Sequence, residues 1–350
     1  MKHNFGAGPC ILPQEVFKKA ADAVLDFNGL SILEVSHRSP DFVKVMEEAR
    51  ENVKNALNVP NGYTVLYLQG GASLGFLISA MNMAGKHKKA GYINTGAWST
   101  KAIKEAKNAG LDVVEVASSE DKNFNYIPEL DIPSDIDFLH YTSNNTIFGT
   151  QFKSIPETDV PLVCDMSSDI FSKEIDISKF DLIYAGAQKN LGPAGATLYI
   201  VKDSVLGNST LSNIPTYLDL NVHAKKDSMF NTPPVFSIYV ANLNLKHLLS
   251  TGGVAAIEKV NEEKAALLYD EIDRNPNFEG ATAKKDRSLM NVTFKLVDEN
   301  KKEEFDKLWN EANIVGLKGH RSVGGYRASM YNALTLESVE ALVNVLKSLK

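Results

Sequence analysis

Residues 180–195 read Phe-Asp-Leu-Ile-Tyr-Ala-Gly-Ala-Gln-Lys-Asn-Leu-Gly-Pro-Ala-Gly, an apolar run followed by a glycine-rich turn that contains one lysine. A short apolar run bounded by turn residues is typical of a buried β-strand. Small residues on both sides of Lys189 allow the backbone and a flat ligand to approach closely, and an amine partly shielded from water loses proton affinity. Lys189 is therefore a candidate for Schiff-base chemistry, although a solvated lysine in a surface turn is the more common case.

A second apolar run, residues 161–164, ends in Asp165. Ligands bind outside the carboxyl ends of the strands in an open parallel α/β sheet, so Asp165 and Lys189 are expected to face one crevice. Together they suggest pyridoxal 5'-phosphate, because this cofactor needs an amine for its aldehyde and an anion that keeps its ring nitrogen protonated. Taken alone, Asp165 is equally well explained as an ordinary helix N-cap.

Strand-like and helix-like segments alternate over the first 255 residues, which predicts an α/β fold with a mostly parallel sheet between helices. The predicted strands are 64–68, 90–94, 112–116, 138–141, 162–165, 182–185 and 197–201, and the predicted helices are 14–27, 41–57, 74–83, 99–109 and 155–158. This part, residues 12–255, is predicted to form a large domain.

The regular alternation of strand-like and helix-like segments ends at about residue 255. The segments that follow predict a smaller α+β domain over residues 256–350, joined by the N-terminal segment 1–11. Its predicted elements are helices at 254–273, 302–311 and 336–349 and strands at 290–296 and 314–317, with a glycine-rich loop at 316–327.

The composition is that of an ordinary globular protein, with a formal net charge of −6 at pH 7. This charge argues against general nucleic-acid binding, which depends on an excess of Lys and Arg. No apolar stretch approaches the length of a membrane span, and the N-terminal residues lack the apolar core of a signal peptide, so a cytoplasmic protein is expected. Cys10 and Cys164 offer neither a disulfide framework nor the spacing of metal ligands.

Three turns that follow predicted strands carry candidate ligand contacts. Residues 69–74 read Gln-Gly-Gly-Ala-Ser-Leu, and their backbone N–H groups at a helix N-terminus could hold a phosphate, although a plain tight turn is an equal alternative. Trp98 could stack on a flat ring or simply fill the core. The segment 143–149 offers hydroxyl and amide donors for a ring oxygen, or ordinary turn chemistry.

Basic residues form a second group of candidates. The dipeptides His37-Arg38 and His320-Arg321, together with Arg327, could supply the fork-shaped donors that a phosphate and a carboxylate need. The alternative is that they are exposed arginines of no special role.

With these motifs the chain resembles the phosphoserine aminotransferases, a class-V family of the fold-type-I pyridoxal-phosphate enzymes, essentially from end to end. The segments that carry the resemblance are 4–9, 34–39, 69–73, 96–99, 187–193, 229–234 and 319–332. The implied fold is the fold-type-I transferase, with a large domain built on a seven-stranded sheet and a smaller C-terminal domain.

The resemblance implies a role for each matching residue toward the cofactor. Lys189 would form the Schiff base and carry the substrate proton, Asp165 would pair with the ring nitrogen, Trp98 would stack on the ring, and Thr146 would bond near the ring oxygen. The cofactor phosphate would be held by Ala72, Ser73 and Gln188, and by Asn231 and Thr232 of the neighbouring subunit, which implies a homodimer with composite sites.

The resemblance also implies the reaction, a reversible amino transfer from L-glutamate to 3-phosphohydroxypyruvate that gives O-phospho-L-serine and 2-oxoglutarate in serine biosynthesis. A phosphorylated hydroxythreonine of vitamin B6 formation is a second substrate that the family sometimes accepts. The substrate-binding residues would be His37, Arg38, His320, Arg321 and Arg327. Part of the family has an arginine where this chain has Ser73, which leaves the division of phosphate binding among these residues open.

Three other functions remain as alternatives. An aminotransferase for another small amino acid would not need the two His-Arg dipeptides, and a desulfurase would need a thiolate on a mobile polar loop. A binding module without catalysis would need neither the lysine nor the electron sink that Asp165 maintains.

Overall fold

The computed structural model describes residues 2–321 and 323–350. Its strands are β1 His3–Asn4, β2 Tyr63–Leu68, β3 Lys89–Asn94, β4 Asp112–Ser118, β5 Phe138–Thr142, β6 Leu162–Asp165, β7 Leu182–Gly186, β8 Thr197–Lys202, β9 Phe278–Gly280, β10 Asn291–Leu296, β11 Ile314–Val315 and β12 Tyr326–Ser329. Its helices are α1 Gln14–Leu25, α2 Pro40–Leu57, α3 Gly71–Met83, α4 Ala97–Asn108, α5 Leu220–Ala224, α6 Val235–Ser250, α7 Gly253–Arg274, α8 Lys302–Glu311 and α9 Leu336–Ser348. None of the helices in the described residues has both the length and the apolarity needed to cross a membrane.

Within the described residues, seven strands form the central sheet in the order β2-β8-β7-β6-β5-β3-β4. All neighbours are parallel except β8, which runs antiparallel to both β7 and β2. The chain moves outward from β3 to β4 and then returns to β5 on the other side of β3, so the strand order reverses between β3 and β5. Such a reversal opens a crevice at the carboxyl ends of the strands. The predicted mostly parallel seven-stranded sheet is confirmed.

Helices cover both faces of this sheet, and the apolar side chains of β5 to β8 are buried on each face. One face packs against α2 and α6 and the other against α3 and α4. Gly75 lets α3 lie directly on the sheet, because a Cβ at this position would come within 2.7 Å of the Tyr184 ring. This close approach places the N-terminus of α3 beside the carboxyl ends of the strands.

The C-terminal part has its own apolar cluster, formed by β9, β10, β12 and the helices α7, α8 and α9. The antiparallel sheet β12-β10-β9 lies at its centre, while β1 pairs in parallel with β11 and Phe5 is buried in the same cluster. The assignment of residues 1–11 and 256–350 to one domain, with a boundary at residues 255–256, stays a prediction.

Several elements of the structure differ from the prediction. Residues 155–158 form no helix, because Pro156 and Pro161 bound a segment too short to nucleate one. The helix α6 was not predicted, since its apolar residues surround it and leave no helical period. The loop expected at 316–327 ends in β12, where Arg327 pairs with Thr293 of β10.

Candidate active site

A cavity of about 330 Å³ lies at the carboxyl ends of the parallel strands, where the strand order reverses. Segments that follow β2, β3, β5, β6 and β7 form most of its wall, and the N-terminal segment and His320 with β12 complete it. Its lining residues are Ala7, Gly8, Gly71, Ala72, Ser73, Trp98, Thr142, Asn144, Thr146, Ile147, Asp165, Ser167, Ser168, Gln188, Lys189, His320 and Arg327. The topology therefore brings residues from seven separate segments of the chain to one small space.

Lys189 projects into this cavity from the turn after β7 and is only 7% exposed. Its Nζ donates a hydrogen bond of 2.8 Å to Thr146 Oγ1. The pKa of the amine is lowered to about 8: burial is the main cause, the charge of Asp165 opposes it, and the Arg327 guanidinium acts in the same direction as burial. An amine with this pKa is partly neutral at physiological pH, which is the form that attacks a carbonyl carbon.

The backbone of Lys189 is held from the N-terminal segment. The Cys10 thiol donates to the Lys189 carbonyl at 2.9 Å, and the Cys10 N–H donates to the Gln188 carbonyl at 3.0 Å. Gly8 adopts a φ of +138°, and a Cβ there would lie 3.5 Å from the Lys189 side chain. Burial raises the pKa of the Cys10 thiol to about 12, so this cysteine acts as a neutral hydrogen-bond donor.

Asp165 is the last residue of β6 and is 3% exposed. Its Oδ1 accepts a hydrogen bond of 2.9 Å from the Ser167 N–H. Burial raises the pKa of the carboxyl group, whereas the bonds from Ser167 and the charge of Lys189 lower it. A buried carboxylate with one fixed donor can hold a protonated ring nitrogen that approaches from the cavity.

The N-terminus of α3 forms the third wall and offers backbone donors. Gly70 at the N-cap has a φ of +99°, and a Cβ there would lie 2.5 Å from Leu74, so only glycine fits. Because glycine brings no side chain to cap the helix, the N–H groups of the first turn are left for a ligand. Ala72 and Ser73 lie in this turn and line the cavity, which makes it a site for an anion such as phosphate.

Trp98 lies in the first turn of α4, whose position depends on Gly96. At this glycine φ is +153°, and a Cβ would lie 1.9 Å from Asn145 Nδ2. The Lys101 Nζ lies 4.3 Å from the centre of the Trp98 ring, and the indole Nε1 is buried without a hydrogen-bond partner among the described residues. The indole thus adds a flat apolar surface and the lysine adds positive charge to this side of the cavity.

Arg327 and His320 add a guanidinium and an imidazole to the lining of the cavity. Arg327 Nη1 donates to the Thr146 carbonyl at 3.0 Å, while its Nε has no hydrogen-bond partner in the described part of the chain. Burial lowers the pKa of His320, and Arg327, Arg321 and Lys101 lower it in the same direction. The guanidinium of Arg327 therefore gives this part of the cavity a positive charge, which favours an anionic ligand.

The comparisons with known proteins agree with this geometry. The family model of the class-V aminotransferases matches residues 2–342. The chain is 60% identical to a phosphoserine aminotransferase of Flavobacterium psychrophilum over 100% of this chain and 99% of that protein. The chain belongs to the phosphoserine aminotransferase family. The resemblance inferred from the motifs is therefore confirmed over the full length.

Solved phosphoserine aminotransferases have the same fold as this chain. The enzyme from Bacillus circulans subsp. alkalophilus superposes with a TM-score of 0.95 at 44% identity, covering 99% of this chain and 98% of that one. A pyridoxal-phosphate-bound phosphoserine aminotransferase from Trichomonas vaginalis gives a TM-score of 0.94 at 36% identity, covering 99% and 100%. The family is thus one of pyridoxal-phosphate-dependent aminotransferases.

The structure brings most of the predicted site residues of this aminotransferase together. Those that line the cavity are Ala72, Ser73, Trp98, Thr146, Asp165, Gln188, Lys189, His320 and Arg327. The predicted residues that do not line it are His37, Arg38, Asn231, Thr232 and Arg321. Their roles, like those of the first group, stay predictions.

Some lining residues were missed by sequence reasoning. Ser167 and Ser168 follow Asp165 directly, and their hydroxyls after a strand-ending carboxylate were the available signal. Ala7 and Gly8 had no local signal of chemistry, because contacts with distant segments, such as the pairing of β1 with β11 and the bonds of Cys10, bring the N-terminal segment to the cavity.

Proposed function

We propose that the chain is a phosphoserine aminotransferase that uses pyridoxal 5'-phosphate to move an amino group reversibly between L-glutamate and 3-phosphohydroxypyruvate, giving 2-oxoglutarate and O-phospho-L-serine. The reaction is a step of serine biosynthesis, and the proposed location is the cytoplasm. The observation that carries the proposal is the pairing of a buried amine at Lys189 with a buried carboxylate at Asp165 in one cavity.

Pyridoxal phosphate fits the residues at the cavity. The first turn of α3 offers N–H donors for its phosphate, Asp165 offers a carboxylate for its ring nitrogen, and Lys189 offers an amine for its aldehyde. When bound, the cofactor supplies an electron sink that stabilises negative charge at the substrate Cα. Trp98 would contact the face of the ring.

The chain's own residues would bind the substrate and move a proton. Lys189, whose pKa burial lowers to about 8, would take the proton from the substrate Cα and return it as a general acid. Thr146 orients this amine through its 2.8 Å bond. Arg327 and His320 would bind the carboxylate and phosphate of the substrate, since both lie at the cavity, where Arg327 offers a charged guanidinium and His320 a ring N–H donor.

We further propose a homodimer with composite sites. His37, Arg38, Asn231 and Thr232 lie outside the cavity of their own chain, so they reach a ligand only if a second copy presents its cavity to them. The segments that carry them expose apolar side chains, among them Leu30 at 54%, Leu33 at 63% and Phe230 at 39%. Exposed apolar side chains of this kind mark protein interfaces.

The dimer is tested with hybrid subunits carrying different affinity tags. Lys189→Ala subunits are co-expressed with Arg38→Ala subunits, and the doubly tagged hybrid is purified. If Arg38 serves the partner's cavity, the hybrid contains one intact site and regains activity that neither parent has. A hybrid as inactive as its parents shows that Arg38 serves its own chain or neither.

The function itself is tested by absorbance of the purified protein. A visible band of the bound cofactor that shifts on addition of phosphoserine, but not of alanine, supports the proposal. Lys189→Ala is expected to lose the band and turnover, whereas Lys173→Ala, a lysine that bonds to the Phe152 carbonyl away from the cavity, is expected to keep both. Turnover of alanine instead of phosphoserine would assign the chain to another small amino acid.

A further inference from the structure

A second lysine lies fully inside the protein, away from the lining of the cavity. Lys264 on α7 is 0% exposed, and no salt bridge of the described residues includes it. A buried amine without a carboxylate is unfavourable unless its N–H groups find acceptors. An apolar side chain of similar length would fill this space at lower free-energy cost, so packing alone does not account for the lysine.

The amine of Lys264 finds its acceptors in one short turn. Its Nζ donates to the main-chain carbonyls of Met330 at 3.2 Å, Tyr331 at 3.1 Å and Leu334 at 3.1 Å. An ammonium has three N–H bonds, and three carbonyls accept them. This segment, the 330–334 turn, lies between β12 and α9 and has no strand or helix of its own to fix it.

The 330–334 turn contacts the active site in three ways. It directly continues β12, the strand that carries Arg327. The Tyr331 hydroxyl donates to the Ala7 carbonyl at 2.9 Å, and Ala7 lines the cavity. The Asn332 N–H donates to Asn190 Oδ1 at 3.0 Å, directly beside Lys189.

We propose that Lys264 is a positioning residue of the active site, which fixes Arg327, Ala7 and the Lys189 backbone relative to one another by binding the 330–334 turn. The proposal rests on the proposed function, because it concerns groups that would bind substrate and cofactor. Lys264 touches neither, so it acts only through the turn.

The test compares Lys264→Met, which keeps the length of the side chain and removes all three donors, with Asn275→Ala. Asn275 lies at the end of the same helix and donates to the Leu346 carbonyl of α9 at 3.0 Å, so its loss weakens the C-terminal part without touching the turn. Both variants are measured as holoenzyme and as cofactor-free protein, by hydrogen exchange and by steady-state kinetics.

Lys264→Met is expected to raise hydrogen exchange both in residues 326–334 and in residues 186–192. It is also expected to raise KM for phosphoserine by about tenfold, the effect of losing one charge-assisted hydrogen bond, with a smaller change in kcat. Asn275→Ala is expected to raise exchange only in α7 and α9 and to leave KM unchanged. Wild-type exchange in residues 186–192 together with an unchanged KM in Lys264→Met would overturn the proposal.

If Lys264→Met does not fold, Lys264→Gln is measured in its place. Its amide retains two N–H donors, so a smaller effect of the same sign is expected, and wild-type KM and exchange would again overturn the proposal. The exchange measurement does not depend on the substrate. If the wild-type protein fails to turn over phosphoserine, the proposed function fails while the coupling of Lys264 to residues 186–192 is still decided.

Discussion

The hydroxyl of Thr146 is expected to set the proton affinity of Lys189, and Thr146→Val tests this. Lys189 Nζ donates to Thr146 Oγ1 at 2.8 Å, and its pKa lies at about 8, lowered chiefly by burial. A hydrogen bond to the charged form of a group favours that form, so we expect this bond to oppose the effect of burial. A hydrogen bond to a charged group contributes about 1.5–3 kcal/mol. Since 1.36 kcal/mol equals one pKa unit, removing the acceptor should lower the pKa by about one to two units, to about 6–7.

The measurement is the pH dependence of imine formation between pyridoxal and the cofactor-free protein, trapped with borohydride and assigned to Lys189 by peptide mass spectrometry. Only the neutral amine reacts, so the midpoint of the rate follows the pKa. Thr150→Val is the matched control, because the Thr150 hydroxyl is buried in the same loop and has no hydrogen-bond partner in the described residues. An unchanged midpoint in Thr146→Val, or an equal shift in Thr150→Val, would refute the reasoning.

Two further predictions concern stability. Gly96→Ala should lower the free energy of unfolding by about 2–4 kcal/mol in urea denaturation, because its Cβ would overlap Asn145 Nδ2 and its φ of +153° suits only glycine. The control is Gly110→Ala, where φ is +86° and the space around the Cβ is open, so the free energy of unfolding should fall by only about 1 kcal/mol. Equal losses in the two variants would contradict the overlap. For the cofactor-free protein, the pKa of Lys189 near 8 lies below its value of 10.5 when unfolded, so the cost of burying the amine is fully present below pH 8 and is relieved between pH 8 and 10.5. The free energy of unfolding of the wild type should therefore rise by about 3 kcal/mol more than that of Lys189→Met between these pH values, and parallel curves would exclude this pKa.

The central sheet and the residues at its carboxyl edge could be predicted from local sequence. Asp165 and Lys189 each follow a short apolar run, and parallel strands place the residues that follow them at one edge. The observed strands of the sheet differ from the predicted ones only by one or two residues at their ends. For β5 to β8 the reason is burial on both faces, which makes the apolar runs continuous.

The rest of the site depends on contacts between distant parts of the chain. Arg327 is placed by the pairing of β12 with β10. Its segment is rich in glycine and has no local pattern that predicts a strand. Ala7 and Gly8 depend on the pairing of β1 with β11. His37 depends on a still more distant contact: it is buried outside the cavity of its own chain, where burial and Arg38 lower its pKa, and its predicted role needs a second copy of the chain.

In the cofactor-free protein, burial makes the charged forms of the two central ionisable groups of the cavity, Asp165 and Lys189, unfavourable. Burial raises the pKa of the Asp165 carboxyl and lowers that of the Lys189 amine, so each is displaced toward its neutral form. A ligand that brings a cationic ring nitrogen to Asp165 and consumes the amine of Lys189 in a covalent bond removes both penalties at once. The same free energy that these residues cost the cofactor-free protein is therefore available to bind the cofactor, and cofactor binding should stabilise the fold in proportion.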